Sequence, residues 1–235
     1  MEIRTGKEIE HIRELIVRMA TYTEESVSDA IGAFLTLDSE KAQSVISRDG
    51  EINSMERQLD KDAFECLALR APVASDLRFL ISMMKINKDL ERIGDHAVNI
   101  AQSALNCLGF GQPMNGPDIQ LMSSLTERML SDSINCFVNS DTQLALSVME
   151  HDDLVDDLNR SVSREVIETV KSDVTTVEAA LELMRVSKNL ERISDLCTNI
   201  AEDVIFHAKA KDIKHTHLAQ GEHISEEQIG DLEEE

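Results

Sequence analysis

The chain has no tryptophan, one tyrosine and six phenylalanines, so aromatics make up only 3 % of its 235 residues. Its core must therefore be aliphatic, built from Leu, Ile, Val, Ala and ten Met. Nine glycines and three prolines are too few for the many tight turns of a sandwich or barrel. The four cysteines, Cys66, Cys107, Cys136 and Cys197, form no C-x-x-C pair and sit among apolar residues. That excludes a disulfide framework and reads as reduced, buried thiols in a cytosolic protein. Basic residues are scarce, 23 against 45 acids, for a net charge of −22. Nucleic-acid phosphates and direct adsorption to an anionic membrane are thereby disfavoured. Cations and basic protein patches remain as charge partners, and plain solubility is the alternative role for the acids. No apolar run approaches the roughly 18 residues of a membrane span. Met1 to Leu15 is charged throughout and reads as no signal peptide. No Ser/His/Asp, Cys/His or phosphate-loop pattern is present, so the expectation is a protein that is not an enzyme.

What is there is a repeat. Asp89-Leu90-Glu91-Arg92-Ile93-Gly94-Asp95 returns as Asn189-Leu190-Glu191-Arg192-Ile193-Ser194-Asp195, and Asn99-Ile100-Ala101 returns as Asn199-Ile200-Ala201. Earlier in each copy Asp29 aligns with Asp132, Asp38 with Asp141, Ala42 with Ala145 and Asp49 with Asp152. A short length difference near 70–76 separates the two stretches. Two copies of roughly 100 residues cover most of the chain. Between them Gly109 to Pro117 holds three glycines and two prolines and is the linker.

Hydrophobic residues, 42 % of the chain, recur with helical period. The periodicity predicts helices over about 7–36, 39–70, 75–108, 117–139, 141–171 and 175–210. Asp38-Ser39 and Ser140-Asp141 suit N-caps, Pro117 suits a first helical turn, and Ala71-Pro72 breaks one helix from the next. Short loops make neighbours antiparallel. The fold class is all-α, two tandem, sequence-related three-helix bundles, over 1–110 and 117–215. Residues 216–235 carry acids and His217 and His223 without Lys or Arg, and read as a solvated tail.

On the third helix of each copy the E-x-x-x-D pair lies on one face. Glu91 and Asp95 share a sector with Leu77, Leu80, Met84 and Val98; Glu191 and Asp195 share one with Val177, Ala180 and Met184. Carboxylates on an apolar strip are costly unless paired or metal-bound. The preceding helices offer partners on one face each: Asp49, Asn53 and Glu56, then Asp152, Asp156 and Asn159. Oxygen-only ligation of this kind suits Mg²⁺, Mn²⁺ or iron. A second reading stays open, in which the carboxylates pair with Arg92 or Arg192 for structure alone. Asn99 and Asn199, one turn along, read as helix–helix hydrogen-bond groups.

These stretches resemble the PhoU family of phosphate-transport regulators. Ala71-Pro72-Val73-Ala74-Ser75-Asp76-Leu77-Arg78, Leu90-Glu91-Arg92-Ile93-Gly94-Asp95 with its second copy, Asp49-Gly50-Glu51-Ile52-Asn53-Ser54-Met55-Glu56, and Lys209 to His215 carry the resemblance, which spans about residues 5 to 215. It implies two three-helix bundles bearing divalent or trivalent metal clusters, iron favoured, with zinc, manganese or magnesium as alternatives. It implies a cytoplasmic homodimer at the inner face of the membrane, held there through partners. Those partners would be the ATPase subunit of the phosphate ABC transporter and the phosphate-sensing histidine kinase. The role would be negative regulation of high-affinity phosphate uptake and of the phosphate-starvation response. Two departures, Asn189 for the acid at Asp89 and Asn159 for Glu56, point to weaker metal binding in the second repeat.

Two other classes compete. A ferritin-like di-iron enzyme uses Glu-x-x-His on inward helices, but Gly94 and Ser194 stand at the i+3 positions here. A metal-free helical scaffold differs from the adaptor by metal content alone.

Overall fold

The computed structural model describes residues 2–72, 74–110 and 116–209. Six long helices, α1 (Glu2–Thr36), α2 (Ser39–Arg70), α3 (Ala74–Cys107), α4 (Pro117–Asn139), α5 (Thr142–Ser172) and α6 (Val177–Lys209), make up nearly all of it. There is no strand among the described residues. The helix bounds follow the periodicity closely. Two ends differ: α1 begins at Glu2 rather than about residue 7, and the start of the last helix, expected near 175, is a 3₁₀ turn, Val174–Thr176, before α6. Asp173 causes it: its side chain accepts from the Thr175 N–H and hydroxyl, which competes with the helical ladder. The expected tail over 216–235 and most of the linker lie outside the described residues.

The helix breaks are chemical. Asp38 accepts from the Lys41 N–H, and Asp141 from those of Gln143 and Leu144, so each repeat opens its second helix with the same cap. Leu37, Ala71 and Ser140 take positive φ values of 54°, 45° and 53° where their helices end. Ala71 is held out of the helical region by the proline that follows it.

Helices α1, α2 and α3 pack as one bundle and α4, α5 and α6 as the other. The bundles meet chiefly along α3 and α6. Buried Ile93, Ala97, Ile100 and Ala101 on α3 and Ile193, Cys197, Ile200 and Ala201 on α6 belong to the one continuous core. Side chains of about this size each contribute about 1–3 kcal/mol by leaving water. Polar ties fix the register of this seam. Lys85 Nζ donates to Asp203 Oδ1 at 3.1 Å, and Asn106 Nδ2 to Glu182 Oε1 at 3.2 Å. The two contacts define an antiparallel pairing. Phe79 of α3 also stacks on Phe137 of α4, centroids 6.4 Å apart, with the Arg13 guanidinium 3.8 Å over its ring. A bidentate pair from Arg70 to Glu8 ties the far end of α2 to α1.

All four cysteines are free and buried. Burial pushes the Cys107 thiol up to about 11 and Cys136 to about 12, so neither is a reactive thiolate.

Candidate functional site

The first carboxylate group lies between α2 and α3. Asn87 fixes the register there, donating to the Glu56 carbonyl at 3.1 Å and to Asp60 at 3.0 Å. Asp49 Oδ2 accepts from Asn53 at 2.7 Å. Asp49 Oδ1 is buried and has no hydrogen-bond partner among the described residues. Lys88 spans the groove, 2.8 Å from Glu91 Oε2 and 3.5 Å from Glu56 Oε1. Its ammonium is held above its ordinary value first by the hydrogen bond it donates to Glu91. Asp95 is raised by desolvation first, then by the charges of Glu91 and Asp49.

The second group lies between α5 and α6. Ser194 donates its hydroxyl to Asp152 Oδ1 at 2.8 Å. Desolvation raises Asp152 and Asp156 adds to it, while the Ser194 hydrogen bond pulls the other way. Asp195 is pushed up to about 6, by desolvation first and then by Asp152, Glu191 and Asp156. Lys188 neutralises Glu191 at 2.6 Å. Asn159 is turned inward to accept from Ser187 at 2.8 Å, which explains an amide opposite Glu56.

The helix packing thus brings Asp49, Glu91 and Asp95 into one field and Asp152, Asp156, Glu191 and Asp195 into another. Among the described residues, however, no three His, Cys, Asp or Glu side chains already stand close enough to hold an ion. The donor set nevertheless fits a hard cation. All donors are oxygens, Asp49 has a buried oxygen with no partner among the described residues, and three carboxyls are raised by desolvation first and by neighbouring carboxylates after it. Lys88 and Lys188, which the sequence reading passed over, occupy the place of a cation in each group. Their signal was in the sequence: each stands three residues before its glutamate.

Two expectations need correction. The strip beside the carboxylates is only partly buried: Leu80 is fully inside, but Leu77, Asp95, Met184 and Asp195 are exposed. A helical wheel cannot tell which apolar edge meets a neighbour. Asn99 and Asn199 make no helix–helix hydrogen bond among the described residues; they line a cleft of about 740 Å³ between α3 and α6. Arg92, Arg192, Asp95, Asp195 and His96 line it too. His96 Nδ1 lies 2.9 Å from Asn189 Oδ1 across the seam. The Asn189 amide nitrogen donates to the Arg185 carbonyl, so its oxygen faces His96 and the imidazole is the donor at Nδ1. Burial first, then Arg192 and Arg92, hold His96 below its ordinary value. No helix among the described residues is long and apolar enough to cross a membrane.

The family model described as "PhoU domain" matches residues 16–104 and 119–204, one match in each repeat. A "phosphate-specific transport system accessory protein PhoU homolog" of Pseudomonas aeruginosa is 35 % identical over 214 residues, 91 % of this chain and 88 % of that protein. The homolog of the same description in Aquifex aeolicus is 35 % identical over 216 residues, 91 % of this chain and 97 % of its own. The crystal structure of PhoU from Pseudomonas aeruginosa superposes with a TM-score of 0.85 at 35 % identity, covering 88 % of this chain and 99 % of the other. That of the phosphate transport system regulatory protein PhoU from Streptococcus pneumoniae gives 0.82 at 26 % identity, covering 88 % and 98 %.

Proposed function

The chain belongs to the PhoU family, and from that membership we propose that it is a phosphate-transport accessory protein that restrains high-affinity phosphate uptake and the phosphate-starvation response. It acts by binding other proteins rather than by catalysis. The observation that carries this is the family match in both repeats, at 35 % identity across nine-tenths of the chain to a phosphate-specific transport accessory protein. Its partners are the ATPase subunit of the phosphate ABC transporter and the phosphate-sensing histidine kinase. It meets them at the cytoplasmic face of the membrane, as a homodimer.

The two carboxylate groups hold metal in this reading. Asp49, Glu56, Glu91 and Asp95 with Asn53 would serve the first site, and Asp152, Asp156, Glu191 and Asp195 the second. Divalent or trivalent ions, iron favoured, would neutralise clustered carboxylates that otherwise crowd like charge. One observation favours a second reading, a metal-free scaffold: Lys88 and Lys188 already pair with Glu91 and Glu191.

Deleting the gene should raise phosphate-starvation gene expression in phosphate-rich medium. Tagged protein should capture the ATPase subunit or the kinase. Unchanged expression together with no capture of either would remove the reading. Elemental analysis of purified protein separates the metal-bearing adaptor from the scaffold.

A further inference from the structure

The α2–α3 groove runs on from its carboxylates into an apolar surface. Phe64 on α2 is 58 % exposed, and Leu77 and Ile81 on α3 are 37 % and 38 % exposed. On α3, Leu77, Met84, Glu91 and Asp95 fall at i, i+7, i+14 and i+18, one line along the helix. The Asn87–Asp60 and Lys88–Glu56 ties set α2 antiparallel at a register that places Phe64 opposite Ile81. Apolar residues thus occupy one end of the line and acids the other.

The second repeat carries the same surface. The alignment that pairs Asp49 with Asp152 pairs Phe64 with Ile167, which is 50 % exposed. The alignment that pairs Glu91 with Glu191 pairs Leu77 with Val177 and Ile81 with Leu181, 39 % and 57 % exposed. A single exposed apolar side chain needs no explanation. Three matched pairs, in repeats that differ at Gly94/Ser194 and His96/Leu196, mark a surface that has been kept apolar twice.

The charge selects the occupant. A second copy would bring another net −22 against the acids at the ends of both lines, Glu91, Asp95, Glu191 and Asp195. The stretch 216–235, acidic and without Lys or Arg, is repelled in the same way. A helix with Leu or Ile on one face and Lys or Arg further along it meets both ends of the line. Ile81 and Glu91 lie about 15 Å apart along the axis, so two to three helical turns separate the apolar and basic parts. We infer that each repeat carries a docking groove for a basic amphipathic helix of a partner protein. One chain then takes two such helices, the arrangement a symmetric dimeric partner would present. This rests on the chain acting by protein binding, not on which process it regulates.

The test uses the full chain and a labelled synthetic helix of about 20 residues, with a Leu face in one half and Lys in the other. Calorimetry and fluorescence anisotropy should show two peptides per chain, weakened by salt. Ile81→Glu or Leu181→Glu should each lower the count to one, and the double variant should weaken binding at least about tenfold. Phe64→Ala and Ile167→Ala supply a milder pair, and circular dichroism checks that every variant folds. A peptide of the same composition with its Leu and Lys interspersed should bind poorly. Equal binding of that control would overturn the inference, as would two peptides on the double variant. So would a halving of the molecular mass in Ile81→Glu, which would seat a second copy on the surface. The peptide result does not depend on phosphate signalling, so the inference and the proposed function can fail separately.

Discussion

Ser194 donates its hydroxyl to Asp152 at 2.8 Å, and the residue in its place in the first repeat is Gly94. There the space is filled by Ile52: a Cβ at Gly94 would lie 3.2 Å from the Ile52 Cδ1. The second repeat has the smaller Val155 at that level. Asp49, the counterpart of Asp152, consequently has a buried oxygen without a donor among the described residues. One repeat solves the problem of a half-buried carboxylate with a hydroxyl, and the other leaves an oxygen free for something else.

Removing that hydroxyl in Ser194→Ala should destabilise the protein by about 1 kcal/mol in urea unfolding. The Asp152 carboxyl should titrate still higher, because the one group pulling it down is gone. An unchanged Asp152 titration would show that the hydrogen bond does not form in solution.

The first site should bind divalent metal, and elemental analysis of Glu91→Ala/Asp95→Ala should find less than in the parent. Lys88→Met should act in the opposite direction. It withdraws the ammonium that pairs with Glu91 at 2.8 Å, leaving the carboxylates to an added ion. Manganese titration of the two proteins reads the difference, with tighter binding expected in Lys88→Met. Weaker binding there would mean that the lysine supports the site rather than competing for it.

The raised carboxyls make stability depend on pH in an uncommon direction. Asp195 titrates at about 6 in the folded chain against an ordinary 3.8, so the folded state holds its proton more tightly than the unfolded one. Its contribution is fully present below pH 3.8 and is lost as pH rises through about 6. Asp152 and Asp95 shift in the same direction. Metal-free protein should therefore lose stability between about pH 4 and 6 from these groups, and Asp195→Asn should flatten that limb. Urea midpoints across the range, compared between parent and variant, measure it.

Asn189→Asp should turn the hydrogen bond from His96 into an ion pair. The imidazole, now held below its ordinary value by burial and by Arg192 and Arg92, should titrate higher. Nuclear magnetic resonance of the ring protons follows the shift directly. A His96 titration unmoved by the new carboxylate would show that the 2.9 Å contact is absent in solution.

The helices were legible because helical period and caps agree at three of the breaks: Asp38, Asp141 and the Ala71-Pro72 step each stand where a helix starts or stops. The break after residue 171 was legible too, but not the 3₁₀ form of Val174–Thr176, because a lone Asp173 carries no glycine or proline to announce a tighter turn. The carboxylate-bearing faces were legible because Asp49, Asn53 and Glu56 on α2, and Glu91 and Asp95 on α3, are each spaced to share one side of a helix, and short loops make those helices antiparallel neighbours. His96 and Asn189 were not, since their meeting depends on the register of α3 against α6, which no spacing within one helix encodes. The docking grooves fall between the two cases. Leu77 and Leu80 look alike in the sequence, and only packing puts one in water and the other inside.

The register of α3 against α6 also carries an internal symmetry. Lys85–Asp203 and Asn106–Glu182 lie in one antiparallel pairing whose midpoint falls level with Gly94 and Ser194. Overlaying the repeats turns each helix onto the other about that midpoint, which is the geometry of an isologous contact between identical subunits. A single repeat on its own would leave the face of α3 open to the same face of another copy. Carrying both repeats in one chain makes that pairing unimolecular and independent of protein concentration. Two repeats in one chain can also differ, and the hydroxyl at Ser194, the imidazole at His96 and the amide at Asn189 each stand in one site and not in the other, an asymmetry that two identical chains could not hold.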